Sequence, residues 1–487
     1  LCGAGRFGYD FENRASKDSS AFSNALEAFK KADTIAFDSY ITNEEALILQ
    51  KLKEKLGVKL VNKDALAYQN FLKEFSLKSK KSLHDGDLED IKRSGLVVQV
   101  GSRSRDNHPG IRYAINEAIK KQGALFVDCH PVEDTEIEKS LHIKYEAGCE
   151  EALIALIAKA VVSKDSSTQS FFDALDVGYL QAEANISEKE IETVEKEYKK
   201  RTHKTLIIGS DLYTHKRSKN IAKLVGLIEA NSDFKVILIP TSTNTLGVSL
   251  ICDLDKEEGS YTVGYNVEGD FKLSSLGDGE LDMPALNQQE GTFTNIDKRV
   301  VKLNPALPYS GYELNDIAKA LGLTNKHTID YTKELPEAKG YKSIEFDQLP
   351  NSFLNNGKED RGYLLQNIDC PSEENSSIEP IEELEEYNGT IIYLSNPILQ
   401  FNRYTAKASE LSSELYLSIS KTLAEELGVE SRDVLTLSSE GGSISLECVV
   451  DSSLVNSAVL VPDFIQSKDI DTLFKQSRYI KADIRKV

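Results

Sequence analysis

The fold is decided by residues 95–128, which read GLVVQVGSRSRDNHPGIRYAINEAIKKQGALFVD. A short apolar run begins the stretch, a segment with apolar residues at helical spacing follows from Pro109 to Lys121, and a second apolar run covers Ala124 to Asp128. Short β-branched runs that alternate with longer helical patterns are typical of parallel strands joined by crossover helices. The stretch therefore predicts a βαβ unit, and with it an α/β fold.

The same alternation continues on both sides of this unit and extends the α/β prediction over most of the chain. The predicted strands are Asp33–Asp38, Val58–Val61, Lys204–Gly209 and Phe234–Ile239, and the predicted helices are Asn43–Leu56 and Ser218–Ala230. Gly57 ends the first of these helices, because glycine readily adopts the left-handed conformation that follows a helix.

Two turns at the carboxyl ends of predicted strands are candidates for ligand binding. They read GSRSR at 101–105 and GSDLY at 209–213. Open α/β sheets bind their ligands at such places. Neither turn has the lysine or the glycine spacing of a phosphate loop, so we expect tight strand-to-helix turns. Arg103 and Arg105 are available to an anion, although arginine in a surface loop is usually solvated.

Three residues near the first turn are of metal-binding type, namely His108, Cys129 and His130. No two of them share a helix face at the spacing of metal ligands. The sequence therefore does not predict a metal site here.

The composition narrows the class of protein. The chain has 487 residues, a net charge of −20, 40% hydrophobic residues and 28% charged residues. These values are typical of a globular protein of roughly two to four domains. An acidic chain does not suit nucleic acid or anionic lipid, and no apolar run approaches the roughly 18 residues that span a bilayer. The six cysteines have no disulfide or metal spacing. We expect no nucleic-acid partner and no direct membrane insertion.

The character of the sequence changes after Phe346. A polar, acidic stretch up to Gly389 predicts a domain connector whose charge is solvated. The strands predicted beyond it are 390–394, 415–419, 434–437, 443–450 and 458–462, with one helix from about Lys421 to Leu427 that ends at Gly428. This series of short strands separated by turns predicts a compact β-barrel.

The first eleven residues, LCGAGRFGYDF, have two incompatible interpretations. Gly3 to Gly8 satisfies G-x-G-x-x-G, but two residues cannot form the strand that must precede a dinucleotide loop. Cys2 suits one ligand of a four-iron cluster, because the glycines after it let the backbone approach an inorganic group. The other ligands would lie upstream, and the chain, which begins at leucine, is expected to be the C-terminal part of a longer protein. A plain thiol at Cys2 remains the alternative.

Three segments, in the right order, resemble one family. The stretch from Cys2 to Tyr9 resembles the C-x-x-G-R-F-G-Y that closes the four-iron subdomain in the large iron–sulfur subunit of respiratory complex I. That subunit belongs to the molybdopterin oxidoreductase superfamily. The stretch from Asn287 to Asn295 resembles the superfamily's N-x-x-E-G-T-F-x-N, and residues 415–462 resemble its C-terminal dinucleotide-binding barrel.

The resemblance implies a molybdopterin-oxidoreductase-like α/β fold, with two interleaved α/β domains followed by a C-terminal β-barrel. The expected divisions are 1–15 as the end of the [4Fe–4S] subdomain, 16–94 with 204–345 as the first α/β domain, 95–203 as the inserted α/β domain, 346–387 as the acidic connector and 388–487 as the barrel. The stretch Glu290–Asn295 is expected to be a turn that pins two domains together.

The resemblance also implies a function, namely a subunit of a proton-pumping NADH–quinone oxidoreductase that passes electrons through iron–sulfur clusters toward quinone. Cys2 is then the expected ligand of a [4Fe–4S] cluster, with Gly3, Gly5 and Arg6 near it. Active members of the superfamily supply a metal ligand soon after the first βα unit, where this chain reads DALAY at 64–68 and offers no obvious ligand. Molybdopterin is therefore expected to be absent and the domains to be a scaffold. The expected partners are the other complex I peripheral-arm subunits, at the cytoplasmic face of the bacterial inner membrane.

Other functions stay open at this stage. One is an active molybdenum or tungsten pterin oxidoreductase of the formate dehydrogenase type, with a metal ligand that the sequence does not reveal. Another is a freestanding assembly protein without a redox role. If the upstream cysteines are missing, Cys2 is a remnant and the whole chain is structural.

Overall fold

The computed structural model describes residues 6–8, 11–14, 16–104, 107–132, 140–163, 168–355, 359–370, 377–381, 390–395, 402–405, 408, 410, 415–439, 441–455, 457–462, 468–474 and 477–487. The α-helices in this part of the chain are Ser19–Lys31, Asn43–Leu56, Lys63–Ser79, Leu88–Arg93, Pro109–Gln122, Glu150–Val161, Gln169–Ala174, Val177–Glu183, Glu188–Lys200, Ser218–Asn231, Thr245–Ile251, Leu314–Ala320, Lys421–Leu427 and Lys468–Phe474. Short 3-10 helices cover Ser210–Tyr213, Leu286–Gln288, Thr328–Glu334, Glu337–Lys339 and Phe346–Gln348.

The strands are β1 (Thr34–Phe37), β2 (Lys59–Val61), β3 (Leu96–Val100), β4 (Leu125–Cys129), β5 (Ser140–Ile143), β6 (Lys204–Ile208), β7 (Phe234–Leu238), β8 (Thr262–Tyr265), β9 (Phe271–Ser274), β10 (Leu281–Asp282), β11 (Gly291–Thr294), β12 (Arg299–Leu303), β13 (Asn351–Phe353), β14 (Glu359–Arg361), β15 (Tyr363–Leu364), β16 (Thr390–Leu394), β17 (Tyr416–Ser420), β18 (Val434–Ser439), β19 (Gly442–Asp451), β20 (Val459–Val461) and β21 (Tyr479–Lys486).

Two five-stranded parallel sheets form the α/β body. The first sheet has the order β10-β9-β8-β1-β2, and the second has the order β5-β4-β3-β6-β7. The whole second sheet lies between β2 and β8 in sequence, so one α/β unit is inserted into the other, as the family resemblance implies. All five residues of β3 are buried. A strand that is covered by helices on both faces needs such a continuous apolar run.

The second sheet extends beyond the boundary expected at residue 203. Strand β6 pairs in parallel with β3 from Lys204 to Ile208, and β7 pairs with β6. Residues 204–238 therefore complete the inserted sheet rather than the first one. The family-based division misplaced them because local periodicity predicts a strand without predicting its partner.

Each sheet has one point where the order of strands reverses. In the first sheet the chain runs outward from β1 to β2 on one side and from β8 to β10 on the other. In the second sheet the reversal lies between β3 and β6. A crevice opens at the carboxyl ends of such neighbouring strands, and ligands of open α/β sheets bind there. We call these places the first crevice and the second crevice.

The C-terminal region is a closed barrel with the strand order β16-β20-β17-β19-β18-β21. The predicted strands are present, and the helix Lys421–Leu427 ends at Gly428, whose φ is 61°. Strand β21 was not predicted from the sequence, because it buries only two of its eight residues. The barrel has its own apolar core, with Leu417, Leu435 and Val461 among its fully buried side chains.

The expected connector packs partly against the α/β body. Strand β15 pairs with β12, and the backbone N–H of Ser82 donates to the carbonyl of Ile368. No helix among the described residues has both the length and the apolar character needed to cross a bilayer.

Candidate functional site

The residues expected at the iron–sulfur cluster are only partly described. Cys2, Gly3 and Gly5 lie outside the described residues, so their role stays a prediction. Arg6 is exposed, and its guanidinium carbon lies 5.6 Å from the centroid of the Phe7 ring.

A buried carboxylate, Asp211, lies in the second crevice. It follows β6 and is 5% exposed. Its Oδ2 accepts hydrogen bonds from the backbone N–H of Ser102 and from the hydroxyl of Tyr393, both at 2.7 Å. The Nε of Arg478 lies 4.0 Å from the other carboxylate oxygen. A buried charge needs such partners, because burial without them is strongly unfavourable.

The two turns that flank this crevice are in close contact at Gly101 and Gly209. A Cβ on Gly209 would lie 2.5 Å from the carbonyl carbon of Gly101, closer than side-chain atoms come. Gly101 and Ser102 have φ values of 70° and 55°, a backbone shape that directs the N–H of Ser102 toward a negative charge. The Asp211 carboxylate occupies the position toward which the N–H of Ser102 points. Residues 101–104 and 209–213 thus form tight turns, as expected, and the chain's own carboxylate occupies the anion position between them. Arg105 lies outside the described residues.

His130 completes the surroundings of Asp211. The backbone N–H of Val132 donates to Nδ1 of His130 at 2.9 Å, so we assign the ring proton to Nε2. That nitrogen lies 3.7 Å from Oδ2 of Asp211. The His130 ring also meets the Tyr393 ring edge-to-face, with centroids 4.8 Å apart. His130 therefore contacts both the carboxylate and the tyrosine that binds it.

The charges of this cluster set its protonation states. Burial alone would raise the pKa of Asp211, but the facing His130 N–H and the charge of Arg478 outweigh it and lower that pKa to about 2. Burial, and then the charge of Arg478, lower the pKa of His108 to about 4. At neutral pH Asp211 is a fixed negative charge and His108 is neutral, so neither is matched to proton transfer at that pH.

A small cavity lies beside this cluster. Its volume is about 30 Å³, and it is lined by Asp64, Ala67, Ser210, Tyr213, Thr214, Thr241 and Arg478. Asp64 is exposed in the first turn of the helix Lys63–Ser79, directly after β2, whereas Ser210 is buried after β6. Residues from beside the first sheet, from the second sheet and from the barrel thus meet at one cavity.

The first crevice contains a similar pair of side chains. Arg403, from the chain between β16 and β17, forms an ion pair with Asp38 and donates to the carbonyl oxygen of Asn266. The hydroxyl of Tyr404 lies 2.7 Å from that of Ser275. Asp38, Asn266 and Ser275 follow β1, β8 and β9, so the barrel region reaches the carboxyl edge of this sheet as well.

The residues of metal-binding type near the second crevice are separated by the fold. His130 faces Asp211, while Cys129 is fully buried at the end of β4. Burial raises the pKa of the Cys129 thiol well above its usual range, which disfavours the thiolate that binds metals. In the part of the chain that the structure describes, no group of three His, Cys, Asp or Glu side chains is placed to hold a metal ion.

The stretch from Glu290 to Asn295 has a structural role. The backbone N–H of Thr292 donates to Oε2 of the buried Glu44 at 2.6 Å, and its hydroxyl donates to Oε1 at 2.8 Å. Thr294 donates its backbone N–H to Asn244 at 2.9 Å. The stretch ties β11 to the amino ends of two helices, Asn43–Leu56 and Thr245–Ile251. All these partners lie in the expected first α/β domain, rather than in two domains.

Sequence reasoning found the turn that contains Asp211 but missed Tyr393, Arg403 and Arg478. The only available signal was the tyrosine within the apolar run TIIYL, since a buried tyrosine hydroxyl needs a partner. The partner lies 182 residues away in sequence.

Comparison with known proteins identifies the fold. No family model matches the sequence, and no curated protein matches it. Acetylene hydratase from Pelobacter acetylenicus is similar in structure over 93% of this chain and 84% of its own, with a TM-score of 0.63 and 10% sequence identity. A chain of the formyltransferase/hydrolase complex (FhcABCD) from Methylorubrum extorquens, solved with methylofuran, matches 64% of this chain and 97% of its own, with a TM-score of 0.44 and 12% identity. The second likeness is too weak to carry an argument.

These comparisons correct the assignment suggested by the short motifs. The prediction of a complex I iron–sulfur subunit is wrong, because the structure that this chain resembles over most of its length is acetylene hydratase, and no family model supports that subunit. The prediction of electron transfer within that complex is therefore also wrong. The fold class itself is confirmed by the interleaved parallel sheets, the closed barrel and the extent of the match to acetylene hydratase. The chain has a fold of the molybdopterin-oxidoreductase type.

Proposed function

We propose that this chain is an enzyme that binds a molybdenum- or tungsten-containing pterin where the two sheets and the barrel meet. The observation that carries the proposal is the cavity at this junction, where Asp64, Ser210 and Arg478 converge from three parts of the fold. The same place lies at the carboxyl ends of parallel strands, where open α/β sheets bind ligands. The shared fold with acetylene hydratase supports the proposal at the level of architecture.

The donor set at the cavity suits such a group. The Asp64 carboxylate is an oxygen ligand that a metal can take, and one protein ligand suffices because the pterin supplies others. The Arg478 guanidinium suits an anionic cofactor, since it pairs with phosphate or other anions through several N–H groups. The hydroxyls of Ser210, Thr214 and Thr241 add neutral hydrogen-bonding groups around the same space.

The space is small in this structure. A cavity of about 30 Å³ has room for about one water molecule, whereas small-molecule sites usually have roughly 300–1,000 Å³. Arg478 belongs to the barrel and closes the space from that side. A pterin therefore enters only when the barrel moves away from the second sheet.

The chain's own residues have distinct roles under this proposal. Asp64 would hold the metal, and Arg478 would neutralise the charge of the cofactor. Asp211, with a pKa of about 2, holds its negative charge at neutral pH and keeps the turn of Ser102 in place rather than moving a proton. When bound, the cofactor supplies a metal centre for redox or hydration chemistry.

The test is the cofactor content of the full protein, purified from a host that makes molybdenum and tungsten pterins. Elemental analysis is expected to find about one molybdenum or tungsten per chain, and oxidation is expected to release a fluorescent pterin derivative. Asp64→Asn should lower the metal content at least tenfold. Asp483→Asn, an exposed change on the barrel, should leave it unchanged. Wild-type protein without either metal or pterin would overturn the proposal.

A further inference from the structure

Residues 377–381, the last described part of the acidic connector, lie on the amino end of the helix Ser218–Asn231. These five residues belong to no helix or strand. Ile378 and Ile381 are half-buried and pack against the apolar core of the α/β body, whereas Glu379 and Pro380 between them are exposed. Because no strand pairing holds the segment, its position depends on these two apolar anchors and on the polar side chains beneath it.

Asn220 binds the main chain of the segment at two points. Its Nδ2 donates to the carbonyl oxygen of Glu379 at 3.0 Å, and its Oδ1 accepts from the N–H of Glu379 at 2.8 Å. Asn220 is 2% exposed, and its Nδ2 also donates to Glu151 at 2.6 Å, which fixes the orientation of the amide. Nζ of Lys223 donates to the carbonyl oxygen of Ser377 at 3.2 Å. The two side chains therefore bind the segment through its backbone, as in the recognition of extended peptides.

Arg217 recognises the acidic side chain of the segment. Its Nη1 donates to Oε2 of Glu379 at 2.8 Å, and its Nη2 donates to the carbonyl oxygen of Pro380 at 2.9 Å. Its Nε donates at 3.0 Å to Glu151, whose side chain is 3% exposed. Since a buried carboxylate already holds the guanidinium, little further freedom is lost when its two outer nitrogens bind the segment. The arrangement selects a carboxylate at position 379.

We propose that Arg217, Asn220 and Lys223 form a binding site for an acidic peptide, and that residues 377–381 of the same chain are its resident ligand. We call this site the peptide groove. Its contacts define the ligand as a segment with a carboxylate between two apolar anchors, held by its backbone. The contacts, and not the continuity of the chain, provide the affinity. A separate peptide with this pattern therefore binds when the resident segment is removed.

The peptide groove is linked to the second crevice by residues 213–217. The backbone N–H of Arg217 donates to Nδ1 of His215 at 2.9 Å, and Nε2 of His215 lies 3.0 Å from the carbonyl oxygen of Gly148. A ligand that holds Arg217 also holds this segment, which follows the turn of Asp211. Peptide binding should slow hydrogen exchange of amides 213–217 at least threefold, and unchanged exchange there would refute the link.

The test of the groove is the binding of a fluorescent peptide with the sequence of residues 375–384 to the full chain, measured by anisotropy. Ile378→Ser combined with Ile381→Ser removes both anchors of the resident segment and vacates the groove, so this variant should bind the peptide in a saturable way. A tethered segment has an effective concentration of about 1 mM, so a peptide with a Kd of about 0.1 mM should bind the wild-type chain about tenfold more weakly. Glu379→Lys, at a side chain that is 54% exposed, vacates the groove if the double variant does not fold.

Matched peptides and variants show whether the named contacts carry the binding. A peptide with Glu379→Lys should bind the vacated chain at least tenfold more weakly, and so should a peptide of the same composition in scrambled order. Arg217→Gln in the vacated chain should weaken binding at least tenfold. Lys219→Gln removes the same charge from an exposed neighbour and should change the affinity less than twofold.

Absence of saturable binding to both vacated chains would overturn the proposal, and so would equal binding of the native and scrambled peptides. Equal affinity for the wild-type and vacated chains would mean that the peptide binds elsewhere, which also overturns it. The proposal goes beyond the proposed function and needs no cofactor. It can therefore hold in a protein that proves to lack metal, and it can fail in one that contains it.

Discussion

Removing the hydroxyl of Tyr393 should loosen the barrel by about 2 kcal/mol. Tyr393→Phe keeps the ring, which is 1% exposed and packs edge-to-face on His130. What is lost is a hydrogen bond of 2.7 Å to the Asp211 carboxylate. Hydrogen bonds to charged groups contribute about 1.5–3 kcal/mol, and the carboxylate keeps its bond from Ser102, so the lower half of that range applies.

The assay is native-state hydrogen exchange of amides in β16 and β21, which reports local opening without assuming a single unfolding transition for the whole chain. A loss of about 2 kcal/mol corresponds to opening that is about 30-fold more frequent. A double-mutant cycle with Asp211→Asn separates the pair from its surroundings. The coupling between the two changes should be about 1–2 kcal/mol.

Two results would refute this reasoning. One is a loss below about 0.5 kcal/mol, the size expected of a surface substitution. The other is a coupling near zero, which would show that Tyr393 acts through packing alone. Tyr416→Phe is the control for removal of a tyrosine hydroxyl elsewhere in the barrel.

The remaining predictions concern a buried carboxyl and a tight turn. Burial raises the pKa of Glu229 to about 7, so the folded state favours the protonated form of this side chain. The resulting contribution to the free energy of unfolding is fully present below pH 4.5 and is lost as the pH rises to about 7. Glu229→Gln should reduce the loss of thermal stability between pH 4.5 and pH 8, and an unchanged loss would contradict this assignment. Gly209→Ala should lower the yield of folded protein, because its Cβ would lie 2.5 Å from Gly101. Gly110→Ala, where a Cβ meets nothing within 4 Å, should be tolerated, and equal yields of the two variants on gel filtration would rule out this account of the turn.

Six strands of the α/β body, namely β1 to β4, β6 and β7, could be predicted from the sequence because they are short, mostly buried apolar runs. Strands β5, β8, β9 and β10 were not predicted. The expected strand 95–100 differs from β3, Leu96–Val100, by one residue. The barrel strand Tyr479–Lys486 was missed because charged residues alternate along it and no apolar run marks it. The pairing of β6 with β3 was missed for another reason, namely that contacts between distant strands leave no local pattern.

Only one part of the candidate site could be predicted from the sequence. The turn with Asp211 lies directly after a predicted strand, so topology alone made it a candidate. Tyr393, Arg403 and Arg478 enter the crevices from the barrel, and only the tertiary fold brings them there. Contacts of this kind join segments that are distant in sequence, because one domain covers the carboxyl ends of the strands of another.

The short motifs identified the fold but misled on function. In the structure Thr292 and Thr294 bind Glu44 and Asn244, which is a structural task. Residues that stabilise a fold are found in proteins with that fold, whatever reaction those proteins catalyse. A motif of this kind therefore indicates the fold and does not distinguish among the functions of the proteins that share it.

The most direct test of the account is a diffraction experiment on the protein purified with its natural cofactor, with data collected at the absorption edges of tungsten and molybdenum. The account predicts one anomalous peak beside Asp64, with Arg478 and Tyr393 withdrawn from Asp211. A structure without such a peak would contradict it.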